Sequence, residues 1–224
     1  MLMIYSPLSA QEDSLSVKNP DKKYREDQFY VGVTYNLLTN VPDAVNLSGV
    51  SGGIQLGFLR DMPINEERNM AIALGVGFAF DRFGQTLFIG EDTQENTIFK
   101  PLESDIDYSS NRFSTAALEL PLEFRWRTST PTQYKFWRIY AGARLSYTYW
   151  YRAYLSQPNN NVSQTDIPEF EPLRVAATLS LGYSTFNFYV NYSITPFFNG
   201  AFVEGTQKEI GFNPLKVGII FYIL

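Results

Sequence analysis

The residues best suited to chemistry stand on a few alternating stretches. Glu119, Glu123, Arg125 and Arg127 share one parity, opposite Leu118, Leu120, Leu122, Phe124 and Trp126. Arg138 and Arg144 share a parity in the next stretch, opposite Trp137, Ile139, Leu145, Tyr147 and Tyr149, and Arg174 takes the corresponding side of a third. Two carboxylates could serve as acid and base at a glycosidic bond, or the whole set could coordinate a substrate. On an extended strand, however, Glu119 and Glu123 lie roughly 13 Å apart, too far for direct partnership at such a bond. The plainer reading is a set of mutually satisfied charges that plugs a narrow interior.

Composition narrows the chemistry further. The chain holds no His and no Cys. His-based zinc sites, Ser-His-Asp triads, Cys nucleophiles, thiolate metal sites and disulfides are therefore excluded. No activated nucleophile is evident, so the reading is a protein that is not an enzyme and has no cofactor, metal or small-molecule substrate. The net charge of −5 carries no footprint of nucleic-acid binding.

The elements that must position these residues alternate with period two. Along Met70–Asp81 the even positions are Met70, Ile72, Leu74, Val76, Phe78 and Phe80, and the odd ones are Ala, Gly and Asp81. A helix would not sort them so. Eight such segments are predicted, over 28–37, 50–60, 70–82, 113–127, 136–154, 172–183, 186–196 and 214–224. No run of about 18 apolar residues exists for a membrane helix, whereas a barrel strand needs only about 9–11 residues with alternate ones apolar. Pro121 lies inside the fourth segment and cannot donate to a ladder, which predicts a bulge or local break there.

Short connections (61–69, 128–135 and 184–185) alternate with mostly longer ones (38–49, 83–112, 155–171 and 197–213). That asymmetry is the pattern of an outer-membrane barrel and puts both termini on the short-turn, periplasmic side. The faces point the same way. The non-apolar face is mainly Gly, Ala, Ser, Thr and Asn, which suits a narrow interior better than a hydrated exterior. All seven Lys fall at predicted strand ends, loops or the tail. The expected fold is all-β: an eight-stranded antiparallel up-and-down transmembrane barrel, its apolar face toward lipid and its Arg and Glu in the lumen.

The chain carries 18 Phe, 15 Tyr and 3 Trp. Trp126 and Trp137 flank one predicted turn; Tyr147, Tyr149, Trp150 and Tyr151 cluster at the far end of the fifth segment. They suit the two interfacial girdles of a barrel, with sugar-stacking platforms as the alternative. Trp150 has the lumen parity and fits a girdle only above the membrane or past a bulge. The acidic loop 83–112 reads as solvated surface and matches no calcium-loop spacing. Residues 1–10 read as the remainder of a secretory signal, 11–27 as a charged flexible tail, and 28–224 as the barrel.

Several stretches resemble the PorT family of outer-membrane proteins of the Bacteroidota, tied to the type IX secretion system. They are Gly53-Ile54-Gln55-Leu56-Gly57-Phe58-Leu59-Arg60-Asp61-Met62-Pro63-Ile64-Asn65, Arg68-Asn69-Met70-Ala71-Ile72, Leu118-Glu119-Leu120-Pro121-Leu122-Glu123-Phe124-Arg125-Trp126-Arg127 and Tyr134-Lys135-Phe136-Trp137-Arg138-Ile139-Tyr140-Ala141-Gly142. The resemblance covers about half the chain. It implies a membrane-embedded accessory for export or surface assembly of cargo, with protein partners in a secretion complex and no catalytic residue. An OmpX-like barrel for adhesion or protection, and a soluble-type ligand-binding barrel, are the alternatives.

Overall fold

A computed structural model describes residues 27–103, 105–128 and 137–223. The expected signal remainder and all but the last residue of the expected tail lie outside them, as does most of the turn 128–135. Eight long strands form the wall: β1 (Gln28–Thr39), β2 (Gly52–Pro63), β3 (Met70–Gly84), β6 (Ser110–Arg127), β7 (Trp137–Ser156), β9 (Leu173–Tyr183), β10 (Phe186–Ser193) and β11 (Asn213–Ile223). Every neighbouring pair is antiparallel. β1 pairs with β11 and β6 with β7, so the sheet closes and the wall has no free edge. No helix among the described residues is long and apolar enough to cross a membrane.

Three short strands decorate one end. β4 (Leu87–Glu91) and β5 (Thr97–Pro101) form a hairpin, and β8 (Asn161–Gln164) folds back to pair antiparallel with the end of β7. The loop expected over 83–112 is therefore largely structured. β3 runs on through Gly84 and β6 begins at Ser110.

The burial alternates opposite to that of a soluble barrel. On β1, Phe29, Val31, Val33 and Tyr35 face out, while Gln28, Tyr30, Thr34 and Asn36 are buried. Small residues let the interior close. Tyr30, Gly57, Gly77, Glu119, Ser146 and Arg174 follow one another in register across six strands. A Cβ on Gly77 would lie 2.0 Å from the Tyr30 Oη, so the Tyr30 ring occupies the space the two glycines leave.

Pro121 breaks the ladder on one side only. β6–β7 runs unbroken through Pro121↔Arg144. On the β3 side the pairs pass from Leu74↔Leu122 to Gly77↔Glu119 in unchanged register, and the two between are missing. The absent N–H of proline is thus a local break without a bulge. The bulge lies higher, at Ala116/Ala117, where Tyr149 has no partner between Thr148 and Trp150.

Candidate functional site: a filled lumen under an aromatic cap

The interior charges form a connected network. At the short-turn end Arg125 meets Asp61 at 3.2 Å and Glu123 at 3.1 Å, and Arg127 meets Asp61 at 2.8 Å. One level up, the Arg144 guanidinium lies 2.8 Å from Glu119 and 3.9 Å from Glu123, and it also donates to the Gln55 side-chain oxygen. One cation thus joins both carboxylates that the sequence singled out. Arg125, Arg127 and Arg144 are among the largest fully buried side chains.

Tyrosines complete the packing. The Arg125 guanidinium sits 4.6 Å from the Tyr140 ring centre, and Arg144 sits 5.4 Å from Tyr30 and 5.5 Å from Tyr189. Arg138 is buried near Tyr222. Such stacking supplies cation–π attraction to guanidinium groups already paired at their edges.

A second cluster lies nearer the decorated end. Lys216 pairs with Asp81, whose other oxygen accepts from the Asn36 side chain at 2.9 Å; Asn36 in turn accepts from Thr34 at 2.7 Å. Arg174 stands apart from the Glu–Arg network. It donates to the Glu171 carbonyl at 3.2 Å and lies 4.6 Å from the Phe197 ring centre. Between these groups is a cavity of about 20 Å³, lined by Asp81, Glu119, Ser146, Arg174, Asn191 and Lys216 among others. That is room for about one water.

Above this level the filling becomes apolar. Phe83, Phe113, Phe170, Phe197, Phe198 and Phe212 are buried together with Leu87, Ile89, Phe99, Ile167 and Ile210. Phe113 packs on Phe197 at 5.3 Å and on Phe198 at 5.6 Å, and Phe99 packs on Phe198 at 5.3 Å. Strand ends and the loops they carry fold inward to make this cap.

Of the residues predicted for the lumen, Glu119, Glu123, Arg125 and Arg144 meet directly. Arg138 lies on the same wall toward the short-turn end, and Arg174 belongs to the upper cluster. Asp61 and Lys216 were not anticipated in the interior, and Asp81, on the inward parity of the third segment, was not counted in the cluster. Asp61 was placed in a turn, yet β2 runs through to Pro63 and carries it inward. The Asp27 carboxylate, just before β1, accepts the Asp61 N–H at 2.9 Å. Lys216 was assigned to a strand end but is buried inside β11.

The outer aromatics fall in two bands. Trp126 and Trp137 face out at the short-turn end, where Trp137 packs on Tyr183 at 5.4 Å. The pairs Phe29–Phe58 and Phe186–Phe221 lie on the wall near the same end. Tyr147, Tyr149 and Trp150 face out toward the decorated end. The bulge at Tyr149 resolves the parity of Trp150, which is 46% exposed. The same shift corrects the expectation for Tyr151. It turns inward, packs on Phe170 at 4.1 Å, and its hydroxyl accepts from the Ile167 N–H at 3.2 Å.

A closed antiparallel wall with lipid-type residues outside and paired charges within defines a transmembrane β-barrel. The chain belongs to the outer membrane protein beta-barrel domain family, whose profile matches residues 9–199. It is therefore an outer-membrane barrel in contact with membrane lipid. Among solved structures it is similar to Ail, the attachment invasion locus protein of Yersinia pestis, at 11% identity over 88% of this chain and 97% of that one, with a TM-score of 0.34. Ail in complex with the heparin analogue sucrose octasulfate matches at 12% identity over 89% and 99%, with a TM-score of 0.32. No curated protein matches.

Proposed function

We propose that this barrel is a sealed, non-catalytic membrane anchor that supports protein secretion or surface assembly through the type IX secretion system. In this reading it holds partner proteins at its loop crown or at the opposite rim. The observation that carries it is the filled interior. With Arg125, Arg127 and Arg144 fully buried and an aromatic cap above them, the lumen has no room to pass a solute, so action must run through the outer surfaces. The secretion role rests on the PorT resemblance of β2, β3, β6 and β7. The long connections are taken as extracellular and both termini as periplasmic, since short turns lie on the same side as the termini.

The test is deletion of the gene and complementation from a plasmid, with secreted cargo measured in the medium. Loss of secretion with an intact outer membrane is the expected result. A second reading, a surface barrel for adhesion or protection, is favoured by the structured crown with its β4–β5 hairpin. Unchanged secretion in the deletion strain would decide for that reading and against the first.

A further inference from the structure

Three arginines stand on the outer wall at the decorated end, where a membrane protein has little use for unpaired charge. Arg82 on β3, Ser114 on β6 and Arg152 on β7 are direct cross-strand neighbours in one row. Arg112 lies two residues from Ser114 on the same face of β6. Among the described residues no carboxylate forms an ion pair with any of the three. Their contacts are instead hydroxyls and a ring: Arg112 donates to Ser110 at 3.1 Å, Arg152 donates to Ser163 at 2.7 Å, and both stack near Tyr154, at 4.4 and 5.0 Å.

Their height on the wall is set by their neighbours. Arg82 follows the lipid-facing Phe80 by two residues, and Arg152 follows Trp150 by two. Each guanidinium therefore starts roughly 7 Å above the last apolar row of its strand. Two hollows meet here. An apolar groove of about 450 Å³ runs below, lined by Val33, Val50, Ile54, Phe80 and Trp150 and topped by Arg82. A polar hollow of about 250 Å³ lies above, lined by Ser48, Tyr108, Ser109, Ser110, Arg82 and Arg112. Val50 and Arg82 line both.

We propose that this stretch of wall docks a phosphorylated glycolipid of the outer leaflet. The three arginines hold its phosphates, the hydroxyl-lined hollow takes its sugar, and the groove takes an acyl chain. Charge complementarity selects the headgroup, since guanidinium groups bind phosphate oxygens through paired, charge-assisted hydrogen bonds. The spacing selects the class. Arg82 and Arg152 stand on strands two apart, roughly 10 Å across the wall, which is wide for a single phosphate and suits two phosphates on a sugar backbone. The proposal rests on the loop end being extracellular.

The test uses the full chain, purified in detergent micelles, with native mass spectrometry as readout. The probes are bis-phosphorylated lipid A, its dephosphorylated form and phosphatidylglycerol. Wild type should retain the phosphorylated form at least tenfold better than either of the others, and the variant R82Q/R112Q/R152Q should lose that preference. All three positions lie on the outer wall, and a heat-modifiable band verifies that the variant folds. Equal retention of the three lipids by wild type would overturn the site without recourse to any variant. A folded triple variant that kept the preference would overturn it as well. Orientation is read separately: the chain has no cysteine, so Gln94→Cys at the hairpin tip should react with an impermeant maleimide on whole cells. No labelling would overturn the orientation and the leaflet assignment. Equal retention of the three lipids by wild type with labelling intact would overturn the site alone.

Discussion

The two halves of the interior are filled by opposite means. Toward the short turns, buried arginines share Asp61, Glu119 and Glu123 and rest on tyrosine rings. Toward the decorated end, phenylalanines from strand ends and loops pack with aliphatic side chains. The charged half is held in rows by strand register, so each group depends on particular partners. The aromatic half is assembled from strand ends and several loops, so its packing is shared among many contacts. A membrane barrel has a reason to divide its interior in this way. The charges are shielded from lipid by the wall and sealed from the loop side by the cap, while the cap fastens the loops in place.

The largest effect should come from the charged half. Arg144→Ala leaves the buried Glu119 without its cation, while Glu123 keeps Arg125, and should cost about 3–5 kcal/mol, read as a lower urea midpoint for unfolding from lipid vesicles. A loss under 1 kcal/mol would mean that the network is not a unit. Phe113→Ala in the cap should cost about 3 kcal/mol and act differently. The heat-modifiable barrel band should persist while the loops become sensitive to protease. If the barrel and the loops failed together, the two halves would not be separable.

Smaller effects sharpen the contrast. Among the described residues the buried Tyr30 hydroxyl has no hydrogen-bond partner, so Tyr30→Phe should change stability by less than about 1 kcal/mol, because little is lost when an unsatisfied polar group is removed. A large loss would show that the hydroxyl has a role the geometry misses. Smallest of all is a pH effect at the hairpin tip. The Asp92 carboxylate accepts from the backbone and side chain of Asn96 and from the Gln94 N–H, which hold it below the usual carboxylate range. Its contribution is present above the unfolded-state value near 3.8 and is lost as pH falls through the lower folded-state value. Amide exchange at Gln94 and Asn96 should quicken over that acid range and be unaffected at neutral pH.

The wall was legible because parity is a local signal. Eight alternating segments announced eight strands, and Glu119, Glu123, Arg125 and Arg144 stood on the face that the apolar residues did not use. Their partners were harder to see. Asp61 sits just past the end of its expected segment, and Lys216 meets Asp81 from 135 positions away. Only strand register brings those pairs together, and register is set by the whole sheet. Tyr151 was misplaced because a one-residue bulge reverses the faces of everything beyond it, and the odd parity of Trp150 was the single mark it left. The cap was hidden for a different reason. Phe170, Phe197, Phe198 and Phe212 lie in segments without periodicity, where an apolar residue reads the same whether it turns inward or out.

The central claim is that the interior is sealed and that the protein works through its surfaces. Single-channel recording of the refolded full chain in planar lipid bilayers tests it most directly. The filled lumen and the aromatic cap predict a flat baseline, with no stepwise conductance from the wild-type protein. Stable, reproducible single-channel steps would contradict the account and make this barrel a pore.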